Sequence, residues 1–105
     1  MKTVTVNKVN FSEIFHYAEK EYGIGWNPCN DLFFKEGVLT YRNVDTIYFD
    51  ERVLDCFYPQ DITKEDFAKL TKEEILEFKG NKLAWCIIGK FMLDNNVDEI
   101  EVDNN

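Results

Sequence analysis

The spacing of apolar and polar residues changes several times along the chain, and each change marks an element. Thr3 to Asn7 alternates polar and apolar side chains, the period-two pattern of a half-buried strand. Asn10 then reads as a helix N-cap, with Glu13 three residues later in the arrangement of a capping box. Phe11, Ile14, Phe15, Ala18 and Tyr22 follow at three- and four-residue spacing, which predicts an amphipathic helix over about residues 11–22 ended by Gly23. Gly23 to Asp31 reads as a loop. Leu32–Lys35, Val38–Arg42 and Thr46–Phe49 then read as three short strands, with Glu36-Gly37 and Asn43-Val44-Asp45 as the turns of an antiparallel meander.

Residues 50–58 fit either a strand or a short helix capped by Asp50 that buries Val53, Leu54 and Phe57; Pro59 closes the segment in both cases. Thr63 with Asp66 and Thr71 with Glu74 form two further capping boxes, which predict short helices at about 64–70 and 72–78. After Gly80, Asn81 is expected to cap the strongest helix, about 82–94. Its apolar residues, Leu83 to Ile88 and Phe91 to Leu93, run most of the way round, as in a buried central helix. Val97 to Val102 reads as a strand, with Ile100 and Val102 on one face and Glu99, Glu101 and Asp103 on the other.

The expected fold is therefore α+β: a small antiparallel sheet (meander) packed against an N-terminal amphipathic helix and a buried C-terminal helix. A chain of 105 residues is of single-domain size, so residues 1–102 are expected to form one compact domain and 103–105 a disordered acidic tail. A hydrophobic content of 45%, with nine Phe, five Tyr and two Trp, excludes intrinsic disorder of the whole. The N-terminus lacks the apolar core of a signal peptide, and the longest apolar run, Leu83 to Ile88, is far short of a membrane span. These features predict no membrane partner and a cytoplasmic location. The Asn-, Lys-, Ile- and Phe-rich composition agrees with a low-GC bacterium or its phage.

Charge sharpens the picture. Residues 1–44 carry five acidic and five basic side chains, whereas residues 45–105 carry fifteen and seven, so the second half holds the entire net charge of −8. Such a field repels nucleic acid and attracts basic surfaces. Direct nucleic-acid binding is disfavoured, because phosphate contact needs clustered Lys and Arg.

Catalytic chemistry has little to build on. His16 is the single histidine. With Cys29 it would make a Cys–His nucleophile pair, but neither sits in a motif, and a surface histidine with a structural thiol accounts for both. Cys29, Cys56 and Cys86 are too widely spaced for a disulfide framework or a zinc site, so reduced thiols are expected, with Cys86 and Cys56 buried and inert. No glycine-rich phosphate loop and no calcium loop occurs. The expectation is a protein that is not an enzyme and has no metal and no cofactor.

The candidate binding residues are acidic and aromatic. Asp50, Glu51 and Asp55 form one acidic cluster and Glu73, Glu74 and Glu77 a second; each also reads as a solvated helix face. Asp98, Glu99, Glu101 and Asp103 form a third, on the last strand. Alternate residues there lie about 6.6–6.8 Å apart, of the order of two phosphate steps of about 3.4 Å along one DNA strand. The competing reading is an edge strand whose charges prevent aggregation. Trp26, in a turn-rich loop, is either an exposed contact residue or a plug over the core. Tyr41, Tyr48 and Tyr58 are candidates for an aromatic rim or for strand packing.

Small size, strong acidity, low-GC composition and the three acidic patches together resemble the small phage- or mobile-element-encoded anti-defence proteins, the anti-CRISPR proteins above all. The resemblance implies a non-catalytic inhibitor whose carboxylates occupy a surface that normally grips DNA, on a basic nucleic-acid-binding partner such as a Cas effector or nuclease, inside a bacterial host cell. Immunity proteins that neutralise nuclease toxins use the same physics and are the main alternative. A small enzyme using His16 or Cys29, or an oligomeric phage accessory protein such as a homodimer, are the remaining ones.

Overall fold

The computed structural model describes residues 7–28 and 44–103. Strand β1 (Asn7–Asn10) runs directly into helix α1 (Phe11–Tyr22). Strand β2 (Val44–Tyr48) leads into a π-helical turn (Phe49–Val53) and a 3-10 turn (Leu54–Phe57). Helices α2 (Lys64–Ala68), α3 (Lys72–Leu76) and α4 (Gly80–Asp94) follow, and strand β3 (Glu99–Asp103) completes the sequence.

The protein is α+β, and among the described residues its sheet has the order β1-β3-β2. β2 pairs antiparallel with β3, placing Ile47 opposite Ile100 and Tyr48 opposite Glu99. β1 pairs parallel with β3 on the other side, placing Val9 opposite Val102. The sheet is thus mixed. The expected strands Leu32–Lys35 and Val38–Arg42 lie outside the described residues, as does most of the expected strand Thr3–Asn7. β3 extends to Asp103, one residue beyond the expected end of the domain, because Asp103 is in register with both Asn10 and Val44.

α4 organises the core. Ala84 to Gly89, Phe91 and Met92 are all buried, so the helix has almost no solvent face. Around it sit Ile14 and Ala18 of α1, Ile75 of α3, Phe67 of α2, and Ile47, Ile100 and Val102 of the sheet, none of them exposed to solvent. α1 ends at Gly23, whose φ of 67° lies in the left-handed region and whose N–H donates to the Glu19 carbonyl at 3.0 Å. α4 ends in a Schellman arrangement. Asn96 takes φ 56°, its N–H bonds to the Leu93 carbonyl at 3.0 Å, and the Val97 N–H bonds to the Met92 carbonyl at 3.0 Å.

The expected caps at α2 and α3 are present. Thr63 accepts from the Asp66 N–H at 3.0 Å. Thr71 and Glu74 form the reciprocal box, with bonds of 3.2 and 2.8 Å. Two expected caps are corrected. Asn81 lies inside the first turn of α4 rather than before it; Lys79 holds the cap position without a side-chain bond, and the Asn81 Oδ1 is buried without a partner. Asp50 lies inside the π-helical turn, whose cap position is taken by Tyr48.

The segment 49–57 is helical because its apolar residues recur every fourth position. Phe49, Val53 and Phe57 are buried, while Leu54 is only half-buried. The wide turn, closed by the Leu54 N–H on the Phe49 carbonyl, keeps Phe49 and Val53 on the inner side. Phe67 meets Phe49 and Phe57 edge-on, with centroids 5.5 and 6.1 Å apart, and Phe57 meets Phe78 at 5.6 Å.

Gly89 allows this cluster to reach α4. A Cβ there would stand 2.5 Å from Val53 Cγ1 and 2.8 Å from Phe67 Cζ. On helix propensity alone, Gly89→Ala would stabilise the protein by about 1 kcal/mol. Overpacking reverses the sign, and a net loss of about 1–3 kcal/mol is expected. A urea midpoint equal to or above that of the unmodified protein would show that the contact is not tight.

Candidate functional site

The turns after β2 gather acidic side chains on their outer side. Asp50, Glu51 and Asp55 are exposed, because the same four-residue rhythm that buries Phe49, Val53 and Phe57 turns the intervening positions to solvent. Asp61 joins them from the following loop. Two open clefts adjoin here and share Asp55. The first, of about 310 Å³, is lined by Glu51, Arg52, Asp55, Cys56 and Trp85. The second, of about 270 Å³, is lined by Asp50, Leu54, Asp55, Tyr58, Gln60, Asp61 and Ile62. Tyr58 lines the second cleft with 81% of its surface exposed. Among the described residues none of these four carboxylates has an ion-pair partner.

Arg52 lines the first cleft beside Glu51 and Asp55, while four lysines have partners other than these carboxylates. Lys64 pairs with Asp98 and lies 5.2 Å from the Phe49 ring. Lys72 pairs with Glu21 at 3.0 Å, which holds the Glu21 carboxyl below its usual range. Lys82 sits over Phe57 and Phe78 at 4.6 and 4.8 Å. Lys90 donates to the Ala68 and Leu70 carbonyls at 3.1 and 2.9 Å, and its burial lowers its pKa. Cation–π and carbonyl contacts hold Lys82 and Lys90 without cancelling a carboxylate.

The other sequence candidates divide. β3 is the central strand of the sheet, so the edge-strand reading of its charges is corrected. Its acids do not form a free row. Asp98, just before the strand, is bonded to Lys64; Glu101 is half-buried and has partners of its own; Glu99 is half-buried beside Tyr48. The Asp103 side chain lies outside the described residues. Glu73 on α3 and Glu77 just after it are exposed, while the Glu74 carboxylate is held in the capping box. Trp26 is 36% exposed, so it is a surface residue rather than a plug, and it lines neither cleft. Tyr48 is exposed; Tyr41 lies outside the described residues.

His16 is exposed, with its ring 5.8 Å from Phe15. Cys29 lies outside the described residues, so the Cys–His pair has no described geometry. Cys56 is corrected from buried to half-buried on the wall of a cleft, with Cys86 behind it. Among the described residues, no group of three or more His, Cys, Asp or Glu is placed to hold a metal ion, and no helix is long and apolar enough to cross a membrane. Asp61, Arg52 and Gln60 were not singled out from the sequence. The polar turn Tyr58-Pro59-Gln60-Asp61 between two apolar stretches was the available signal.

Comparison with protein-family models, curated proteins and solved structures gives no match.

The largest tyrosine perturbations lie away from the acidic face, where α1 meets α4. The Tyr17 hydroxyl donates to Asp94 Oδ2 at 2.7 Å, and its ring packs edge-on against Tyr22 and Phe91 at 6.1 and 5.3 Å. Burial first, and the Asp94 carboxylate second, push the Tyr17 phenol far above its ordinary value; burial pushes Tyr22 up to about 12. A raised phenol pKa means that the folded state keeps a proton the unfolded state loses. This contribution is intact below the unfolded value of about 10 and is lost as pH rises through and beyond it. The urea midpoint should therefore fall between about pH 10 and 12, and less steeply in Tyr17→Phe. Parallel pH profiles for the two proteins would place the alkaline sensitivity elsewhere.

Proposed function

We propose that the protein is a non-catalytic inhibitor that binds a basic nucleic-acid-binding protein, in the manner of an anti-CRISPR protein covering the DNA-gripping surface of a Cas effector. The observation that carries this reading is the face formed by Asp50, Glu51, Asp55 and Asp61, four carboxylates without ion-pair partners among the described residues, around two adjoining clefts, the second of which is lined by an exposed tyrosine. Carboxylates so placed accept charge-assisted bonds from Arg and Lys. The Tyr58 ring offers a surface on which a guanidinium can stack. The partner's own groove already presents cations spaced for phosphate, and the −8 charge of the chain steers the encounter. The face on the turns supports this better than the β3 row, of which Asp98 and Glu101 have partners within the fold.

The test uses a guide-loaded Cas effector and a labelled target duplex. The protein should reduce duplex binding, and the effect should weaken as salt rises, because exposed charges are screened beyond about 8–10 Å at physiological ionic strength. Combined Asp50→Lys, Asp55→Lys and Asp61→Lys should slow association about tenfold or more. Stability should change by only about 0.5 kcal/mol per site. Glu73→Lys on α3 with Glu77→Lys just after it is the matched control and should have a much smaller effect. Binding indifferent to salt and to both sets of reversals would refute the proposal. Inhibition of a nuclease toxin, with the Cas effector untouched, would move the same face to the immunity class.

A further inference from the structure

We propose that Cys56 and Cys86 form a redox dithiol on the floor of the acidic cleft, with Cys56 as the thiol that meets a small peroxide and Cys86 as the thiol that resolves it into a disulfide. Three placements bring the pair together. Cys56, on the 3-10 turn, is half-buried and lines the 310 Å³ cleft, which is wide enough to admit a reagent the size of hydrogen peroxide. Cys86, on α4, has no exposed surface and directly follows Trp85, which lines the same cleft. Lys82, one helical turn before Cys86 on the same face, lies 4.6 Å from the ring of Phe57, the residue after Cys56. Both thiols are free.

Their environments assign the roles. A side-chain hydrogen bond between Cys86 and Cys56, with Lys82 nearby, holds the Cys56 pKa below that of an ordinary thiol against the opposing effects of burial and Asp55. The same bond and its own burial push Cys86 well up. The more acidic, accessible sulfur is the one that attacks. In the first step the Cys56 thiolate attacks one peroxide oxygen. A sulfur–oxygen bond forms, the oxygen–oxygen bond breaks, and the departing hydroxide takes a proton to become water. In the second step the Cys86 sulfur attacks the Cys56 sulfenic acid. A sulfur–sulfur bond forms, the sulfur–oxygen bond breaks, and the Cys86 proton leaves with the hydroxyl as a second water. Two thiols are oxidised by two electrons, and one peroxide is reduced to two waters. The product ties the turn carrying Asp55 to the central helix. This inference does not depend on the identity of the partner.

The experiment treats the reduced full chain, carrying Cys29→Ser to remove the third thiol, with stoichiometric hydrogen peroxide at neutral pH, followed by alkylation and mass spectrometry. The expected product has lost the mass of two hydrogens and yields a Cys56–Cys86 cross-linked peptide. Its formation should be several-fold to about tenfold faster than oxidation of glutathione in the same tube. Cys86→Ala should arrest the reaction at a Cys56 sulfenic acid trapped by dimedone, and Cys56→Ser should leave Cys86 unoxidised. Should Cys86→Ala not fold, the peptide map of the parent protein decides alone. Oxidation of Cys56 no faster than glutathione, or absence of the Cys56–Cys86 peptide after complete reaction, would overturn the proposal.

Discussion

A helix with almost no solvent face must be surrounded, and the arrangement of the other elements follows from that demand. α4 buries side chains in every direction, so α1, α2, α3, the sheet and the two turns after β2 each present one apolar side to it. The tightest point is Gly89. Its missing side chain admits Val53 and Phe67 to the helix, and Phe67 in turn holds Phe49 and Phe57 by edge contacts. Those same residues fix the turns whose outer positions carry Asp50, Glu51 and Asp55. The geometry of the acidic face is thus set from beneath, by packing between aromatic rings and a glycine.

The distribution of cations has as much to do with the surface as the number of acids. Lys64, Lys72, Lys82 and Lys90 lie over aromatic rings or bond to main-chain carbonyls or to carboxylates outside the two clefts. Long aliphatic stems let these side chains cover apolar surface while their heads find partners. These four positive charges are thereby drawn into the seams between elements, and Arg52 remains as a cation beside the cleft carboxylates. An acidic field selects partners by charge and accelerates encounter, while the clefts and Tyr58 supply shape.

The position of β3 shows how topology changes the meaning of a motif. Its alternation of Ile100 and Val102 with Glu99, Glu101 and Asp103 is what a half-buried strand requires, and a half-buried strand is what forms. An alternating strand is equally compatible with an edge or a centre. The centre brings neighbours on both sides, and there Glu101 is in register with Lys8 and Thr46 and becomes part of the sheet rather than a free charge. Conversely, Asp61 is an isolated acid in the sequence and joins the face because the loop after the 3-10 turn brings it to the cleft that Asp50 and Asp55 line.

The sequence by itself determined the elements whose cause is local. The amphipathic face of α1, the caps Thr63 and Thr71, the buried character of α4 and the acidity of the second half all follow from residues a few positions apart. Tertiary structure decided everything that depends on residues meeting across distance. The parallel pairing of β1 with β3, the place of β3 in the sheet and the nearness of Cys56 to Cys86 are of this kind. Periodicity records which side of an element is buried, and it carries no record of which neighbour buries it. The engagement of four lysines, and with it the choice of which acidic cluster stays free, is a property of those neighbours.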